Sequence, residues 1–469
     1  MGSHAINPET QKLSPLIVLC VWPIPGHTYG LLQVAEFLVK RGFQCFFCGG
    51  SDHEAQIIRT GAEFFPHDRA FSDIQRQLSS TPPGYVRSCF TLKHVFLDSV
   101  QLQHNALTTC LESVRKRFPA RQVIILHESY AMGLLPFYYG APLPRGYTEM
   151  PRVINFHPSV HIGSSIDVGP FPFGLPPATG DEDRKQLQAV YNEIRPLSRE
   201  VVAYANEVYR TLGATRKIEG DFFLDILLTS HDVTMMTCSP GLEYPRSDMS
   251  PKIKFIGGMP LKPIDPNFAP PSWWGEIVAN ASLPSDCPSR KKVVTVAQGT
   301  LHLNYRELIV PTITGLFHQD IILVALLGAK GAQLADDLAI PANTYVIDYL
   351  PYDAILPFSD VFISNAGYGG FIHGIMNGVP MVLAGVLTDK AEVSRRAEWA
   401  GIGVNLRTQS PSPGQIRQAV DTIFSDTRFK QRVLELKKEN EDLNALGSIE
   451  KQIWEYTEFE VNGHGQNAI

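Results

Sequence analysis

Charge is scarce in this 469-residue chain: charged residues are 19%, and 41 Lys plus Arg face 47 Asp plus Glu, for a formal net charge of −6. No broadly basic surface is available, which excludes nucleic-acid binding as the main function. No unbroken apolar run reaches the ~18 residues that suggest a membrane-spanning helix. The first apolar run, Leu16 to Val21, is short and meets Pro23 and Pro25. It reads as a strand rather than the core of a signal peptide. Cysteine is also sparse, 7 in all, so no disulfide framework is implied. Cys45 and Cys48 form a C-x-x-C, but a zinc site of that kind needs a second pair, and none follows. Buried reduced thiols are the simpler reading, and the expected location is cytoplasmic. Internal repeats and low-complexity tracts are absent.

What is present is a chain built to bury cores, 44% hydrophobic, with 37 Gly and 35 Pro to punctuate many short connections. Leu16–Val21 reads as a strand buried on both faces, Pro23–Gly30 as a loop, and Leu31, Val34, Ala35 and Leu38 as the buried stripe of a helix ended by Gly42. Phe43–Cys48 is the next strand, so the opening predicts a parallel crossover unit. Val123–Leu126 predicts a later strand, ending at His127-Glu128. Residues 141–178 are rich in Pro and Gly, and 181–213 read as a charged helix. A run of prolines between Pro240 and Pro288 has the composition of a stiff connector. The strand rhythm then restarts at Val293–Ala297, Ile321–Ala325, Tyr345–Ile347, Val361–Ile363 and Met381–Leu383. The expected class is α/β, with two doubly wound Rossmann-like domains facing a cleft. The expected organisation is a first domain over 1–245, a connector over 246–290, a second domain over 291–445, and a C-terminal helix and tail over 446–469 packing back on the first domain.

Ligands of open α/β sheets sit beyond the carboxyl ends of the strands, so chemistry is sought there. His27 follows the first strand, and an imidazole suits proton abstraction near neutral pH. The bland alternative is a surface histidine capping the next helix. Glu128 ends another strand and could orient His27 and support its positive charge; His127 is the rival, and a plain helix-start carboxylate is the bland reading of Glu128. In the second half, Ser364-Asn-Ala-Gly-Tyr-Gly-Gly370 joins a strand to a helix. Glycines admit a ligand close to the backbone, and a helix N-terminus favours phosphate oxygens. Gln298-Gly299-Thr300 is a second polar loop on the same edge. Thr388-Asp389-Lys390 could bind sugar hydroxyls, or be a solvated loop ion pair. Asp336-Asp337 reads as helix surface rather than a metal pair, and no metal site is expected. Trp22, Phe96, Tyr130, Phe156 and Phe171 are candidates for an apolar pocket.

These pieces together resemble the UDP-glycosyltransferase superfamily of GT-B fold, in its macrolide-type branch of bacteria and fungi. The resemblance rests on Pro25-Gly-His27 with its helix, and on the run from Asn365 through Gly378-Val-Pro380 to Asp389-Lys390. It implies an inverting transfer of a sugar, glucose foremost, from a UDP-sugar co-substrate to a hydroxyl of a small, largely apolar acceptor such as a phenolic or polyketide-type natural product. No other cofactor and no metal are implied. By the same resemblance His27 is the base and Glu128 falls where an aspartate orients it. Gly299 and Thr300 touch phosphate, as do Gly367, Tyr368, Gly369 and Gly370. Tyr349 and Pro351 fall where the nucleobase stacks, and Asp389 binds sugar hydroxyls. Four positions depart from the pattern: Asn365 replaces a phosphate-binding His, Gly370 a Ser or Thr, His373 a ribose-binding Glu, and Lys390 a Gln. A monomer or weak dimer is expected. Two other readings stay open, a sugar-nucleotide epimerase and a non-catalytic sugar-nucleotide-binding protein. A nicotinamide oxidoreductase is disfavoured, because Pro23–Gly30 has too few glycines for the dinucleotide fingerprint.

Overall fold

A computed structural model describes residues 14–68, 81–82, 84–264, 268–299, 303–335 and 337–464. Two parallel sheets organise the chain. The first has seven strands: β1 (Leu16–Cys20), β2 (Gln44–Gly49), β3 (Glu63–Pro66), β4 (Val123–Glu128), β5 (Arg152–His157), β6 (Val233–Met236) and β7 (Ile253–Phe255), in the order β3-β2-β1-β4-β5-β6-β7. The second has six: β8 (Lys292–Ala297), β9 (Ile321–Leu326), β10 (Thr344–Ile347), β11 (Val361–Ser364), β12 (Met381–Leu383) and β13 (Gly403–Asn405), in the order β10-β9-β8-β11-β12-β13. Each order reverses once, between β1 and β4 and between β8 and β11. A crevice opens at such a switch point.

The continuous apolar runs have a direct cause. Both faces of each sheet are covered, so successive residues of β1 enter different cores. Ile17 and Leu19 pack with helix α1 (Pro25–Lys40), while Leu16 and Val18 pack with helix α2 (Val100–Arg117). A long amphipathic helix, α3 (Asp181–Thr211), covers the charged stretch seen in the sequence. A further apolar cluster runs through both halves, joining Trp22, Tyr130, Met236 and Leu242 to Tyr368, Phe371 and Ile375.

The proline-rich range 246–290 is more than a connector. It contributes edge strand β7, which pairs with β6, and a helix at Trp274–Ser282. Its path is fixed at Gly257, whose φ is +82° and where a Cβ would lie 2.2 Å from the Asn440 carbonyl oxygen. Asn440 stands in helix α6 (Arg428–Leu443) and accepts the Gly258 N–H at 2.9 Å. Asn444, in left-handed conformation, separates α6 from α7 (Ala445–His464). Helix α7 then lies on the first sheet's side, with Ala445, Ile449 and Ile453 in the core of β1 and α1 and Arg41 paired to Glu450 at 2.9 Å.

Candidate active site

The two switch points place the polar loops. Beyond β1, Pro25 opens α1 at its first position and His27 falls in the first turn. Glu128 is the last residue of β4, the neighbour of β1 across the switch. Their side chains meet: His27 Nδ1 is 3.0 Å from Glu128 Oε1. The carboxylate is fully buried, and it also accepts backbone N–H groups from Tyr130 at 3.2 Å and Trp22 at 3.4 Å. A buried charge is tolerable only when paired and hydrogen-bonded in this way. With Nδ1–H donating to Glu128, the His27 Nε2 lone pair is left free to take a proton.

Burial is the largest influence on the His27 pKa and pushes it down, but Glu128, by charge and by hydrogen bond, and then the charge of Asp389 outweigh it, leaving the imidazole above its ordinary value. The charge of Asp389, from the second half, thus adds to that of Glu128 in favouring the imidazolium. His127, the rival to Glu128, points to the other face of the sheet, as alternation along a strand requires. Its Nε2 lies 3.2 Å from His231 Nε2, and burial pushes its pKa down to about 4.

A chain of aromatic contacts runs from His27 into the core. Tyr130 meets the imidazole edge-on at 5.2 Å, and Phe96 lies 4.8 Å from Tyr130 and 4.9 Å from Trp22. Phe96 closes a π-helical turn, Thr91–Phe96, a feature frequent at functional sites that periodicity in the sequence did not disclose. The other two aromatic candidates lie elsewhere. Phe156 packs beneath α1, where a Cβ on Gly30 would come within 2.9 Å of its ring. Phe171 lines a separate small cavity with Tyr85, Phe222 and Phe223.

On the second sheet, Gly299 (φ +78°) follows β8 and the Asn365–Gly370 loop follows β11. Asn365 is buried, and both ends of its amide are engaged: Nδ2 donates to the Gln298 carbonyl, and Oδ1 accepts the Gly367 N–H at 3.3 Å. It therefore clamps the two loops together. Ala366 takes a φ of +61°, a strained value for a residue with a Cβ, just before helix α4 (Tyr368–Met376). The first helical bond of α4 runs from Phe371 N–H to the Gly367 carbonyl, so the N–H groups of Tyr368, Gly369 and Gly370 have no acceptor within the helix. The Tyr368 ring turns away from this loop, is 8% exposed, and donates its hydroxyl to the Thr237 carbonyl of the first domain at 3.4 Å. Only its backbone belongs to the loop.

His373 is bound to a residue the sequence did not single out. Its Nδ1 lies 2.7 Å from Asp353 Oδ1, and Asp353 also accepts from Asn377 at 3.2 Å and from the Lys262 N–H at 3.0 Å. Burial acts most strongly on Asp353 and would raise its pKa, yet these donors, His373 foremost, hold it below the carboxylate norm. Tyr349, beyond β10, is 43% exposed, and Pro351 starts the short helix that carries Asp353. Thr388 (φ +57°) donates to Asp389 at 3.0 Å, and Asp389 precedes helix α5 (Lys390–Trp399). Lys390 is largely buried, with Nζ 3.7 Å from Asp389 Oδ1. Among the described residues, no group of His, Cys, Asp and Glu is arranged to hold a metal ion, and no helix is long and apolar enough to cross a membrane. Thr300 and Asp336 lie outside the described residues.

Residues 314–445 match the model of the erythromycin biosynthesis protein CIII-like C-terminal domain. Over 444 residues the chain is 42% identical to UDP-glucosyltransferase 1 of Beauveria bassiana, covering 93% of this chain and 94% of that one. It is 30% identical over 455 residues to UDP-glucosyltransferase B1 of Starmerella bombicola, with 94% and 98% covered. Its fold is that of the glycotransferase of kitacinnamycin, at a TM-score of 0.67 and 19% identity, with 94% and 99% covered. The chain belongs to the UDP-glycosyltransferase superfamily and has the GT-B fold.

Proposed function

We propose that the protein moves a glucosyl group from UDP-glucose to a hydroxyl of a small, largely apolar acceptor such as a phenolic or polyketide-type natural product, with inversion at the anomeric carbon. The observation that carries this reading is the His27–Glu128 pair, 3.0 Å apart at the carboxyl edge of the first sheet. The likeness to named UDP-glucosyltransferases along nearly the whole chain supports the donor. The Tyr130 ring against His27, with Phe96 packed on it, supports an apolar, planar acceptor.

In this mechanism the acceptor hydroxyl gives its proton to His27 Nε2. Its oxygen forms a bond to the anomeric carbon as the bond from that carbon to the phosphate oxygen breaks, and UDP leaves. Glu128 stabilises the imidazolium. The N–H groups of Tyr368, Gly369 and Gly370 and the dipole of α4 meet the charge developing on the diphosphate. Asn365 acts by holding the Gln298–Gly299 loop against this turn. The Asp389 loop holds the hydroxyls of the donor sugar, and that role is testable. Asp389→Ala weakens UDP-glucose about tenfold, the order expected for a lost charge-assisted hydrogen bond, and leaves UDP within about twofold. Calorimetric titration with each ligand checks it, and equal losses for both would remove Asp389 from the sugar site.

The diphosphate charge is met by backbone dipoles, so the rate in EDTA is expected to equal the rate in magnesium or manganese. A rate lost in EDTA and restored by either cation would overturn that part of the mechanism. A reducing, cytoplasmic setting fits the seven cysteines, all unpaired and six of them buried.

A further inference from the structure

A buried charge cluster crosses from one domain to the other behind the donor loop. Arg396 of α5 is 1% exposed, and its Nε lies 2.9 Å from Glu243 of the first domain. Its Nη1 lies 2.7 Å from Glu392 of the same helix. The guanidinium also stands over the Tyr244 ring at 4.5 Å. Both carboxylates reach further. The other oxygen of Glu243 accepts the His161 N–H at 2.7 Å, and the other oxygen of Glu392 accepts the Gly174 N–H at 2.8 Å. Arg395 donates to the Gly174 carbonyl at 3.1 Å. Gly174 is forced to be glycine: its φ is +60°, and a Cβ there would lie 2.7 Å from the Ala391 carbonyl oxygen.

The first-domain segment 161–174 is thus tied at both ends to one helix of the second domain, and that helix begins immediately after Asp389. The segment follows directly on Val160, whose carbonyl lies 2.9 Å from His157 Nε2, and the His157 ring stacks at 6.5 Å on Tyr130, the ring that meets His27. A guanidinium held between two carboxylates in a dry interface has a narrow range of allowed geometry, since any rotation of one domain separates opposite charges without water to replace them. A ligand that sets one side of such a joint biases the other.

We propose that the Glu243–Arg396–Glu392 cluster couples the 161–174 segment to the Asp389 loop, so that donor and acceptor each bind more tightly when the other is present. Arg396 is then a positioning residue, acting through α5 on Asp389. The proposal rests on the transfer reading above. The test is calorimetric titration of the full chain with UDP, with 4-nitrophenol, and with each in the presence of the other. In the unaltered protein UDP tightens 4-nitrophenol about fivefold or more, and the phenol tightens UDP by the same factor. Glu243→Gln and Arg396→Lys keep a hydrogen-bonding group of similar size at each position. Each brings the factor below about twofold while UDP alone binds within about twofold of its original affinity. Glu392→Gln, which weakens the tie to Gly174 and leaves the link to Glu243 intact, is the fallback where either variant fails to fold, with a smaller but measurable loss of synergy expected. Synergy undiminished in the folded variants overturns the coupling, and so does binding of both ligands without synergy in the unaltered protein. Absence of UDP binding overturns the donor reading and the coupling together.

Discussion

His27→Ala lowers turnover by about 10²–10⁴, the loss typical of a missing general base, while UDP affinity stays within about twofold. The imidazole sits at the edge of the first sheet and the turn that opens α4 on the second, so the substitution removes the proposed proton acceptor without touching the proposed nucleotide site. The pH profile carries independent information. Only neutral His27 can accept the proton, and its pKa is raised despite the opposing pull of burial, because Glu128 and Asp389 favour the imidazolium. kcat/KM therefore rises with pH through an apparent pKa above the ordinary histidine value. Glu128→Gln keeps a hydrogen-bond acceptor at 128 but removes the charge. The rising limb then moves to lower pH and the plateau falls. The fall is smaller for an acidic phenol than for an aliphatic alcohol, because the phenol asks less of the base. Steady-state rates with the two acceptor types across pH 5 to 9 decide it. Full activity of His27→Ala on an alcohol would overturn the base assignment, and so would a limb unmoved in Glu128→Gln.

Gly369→Val separates folding from donor binding. Gly369 is exposed at the second position of α4, and a Cβ built there meets nothing within 4 Å. Helical Cα–Cβ bonds tilt toward the helix N-terminus, so the added methyls point to where three N–H groups await an anion. The melting temperature should stay within a few degrees, since the position lies in a terminal turn and the added atoms meet no protein. UDP affinity should fall about tenfold to a hundredfold, as a close backbone approach of the diphosphate is blocked. Titration with UDP against thermal unfolding of the free protein reads both. A normal UDP affinity would move the diphosphate away from this turn. A collapse of stability would mean that Gly369 serves packing instead.

How much of this was legible in the sequence depended on how each strand is buried. β1, β4, β8, β9 and β11 lie inside a covered sheet and read as apolar runs, and all were placed to within a few residues. β3, β7 and β13 were not read. They are short edge strands, partly exposed, with nothing continuous to mark them. β5 and β6 escaped because polar residues stand inside them. Asn155 and Thr234 are fully buried there, and the Asn155 amide satisfies itself on Thr234 Oγ1 at 3.0 Å. Single-sequence patterns cannot tell a polar residue with a buried partner from one in a loop.

The site divides along the same line. The sequence by itself placed His27, Glu128, Gly299, the Asn365–Gly370 turn and Asp389 at carboxyl ends of strands, because strand and helix periods are local and a turn between them is marked by glycine and proline. Tertiary structure alone decided which of those groups touch. Glu128 rather than His127 meets His27, because alternation along β4 sends them to opposite faces. Asn365 spends its amide on two backbone groups, the Tyr368 ring turns into the domain seam, and His373 finds Asp353. Arg396 had no mark in the sequence, and its partner Glu243 lies 153 residues away. Pairings at such range are set by sheet order, register and the direction of each side chain. These follow from how whole layers pack, which no local run of residues specifies.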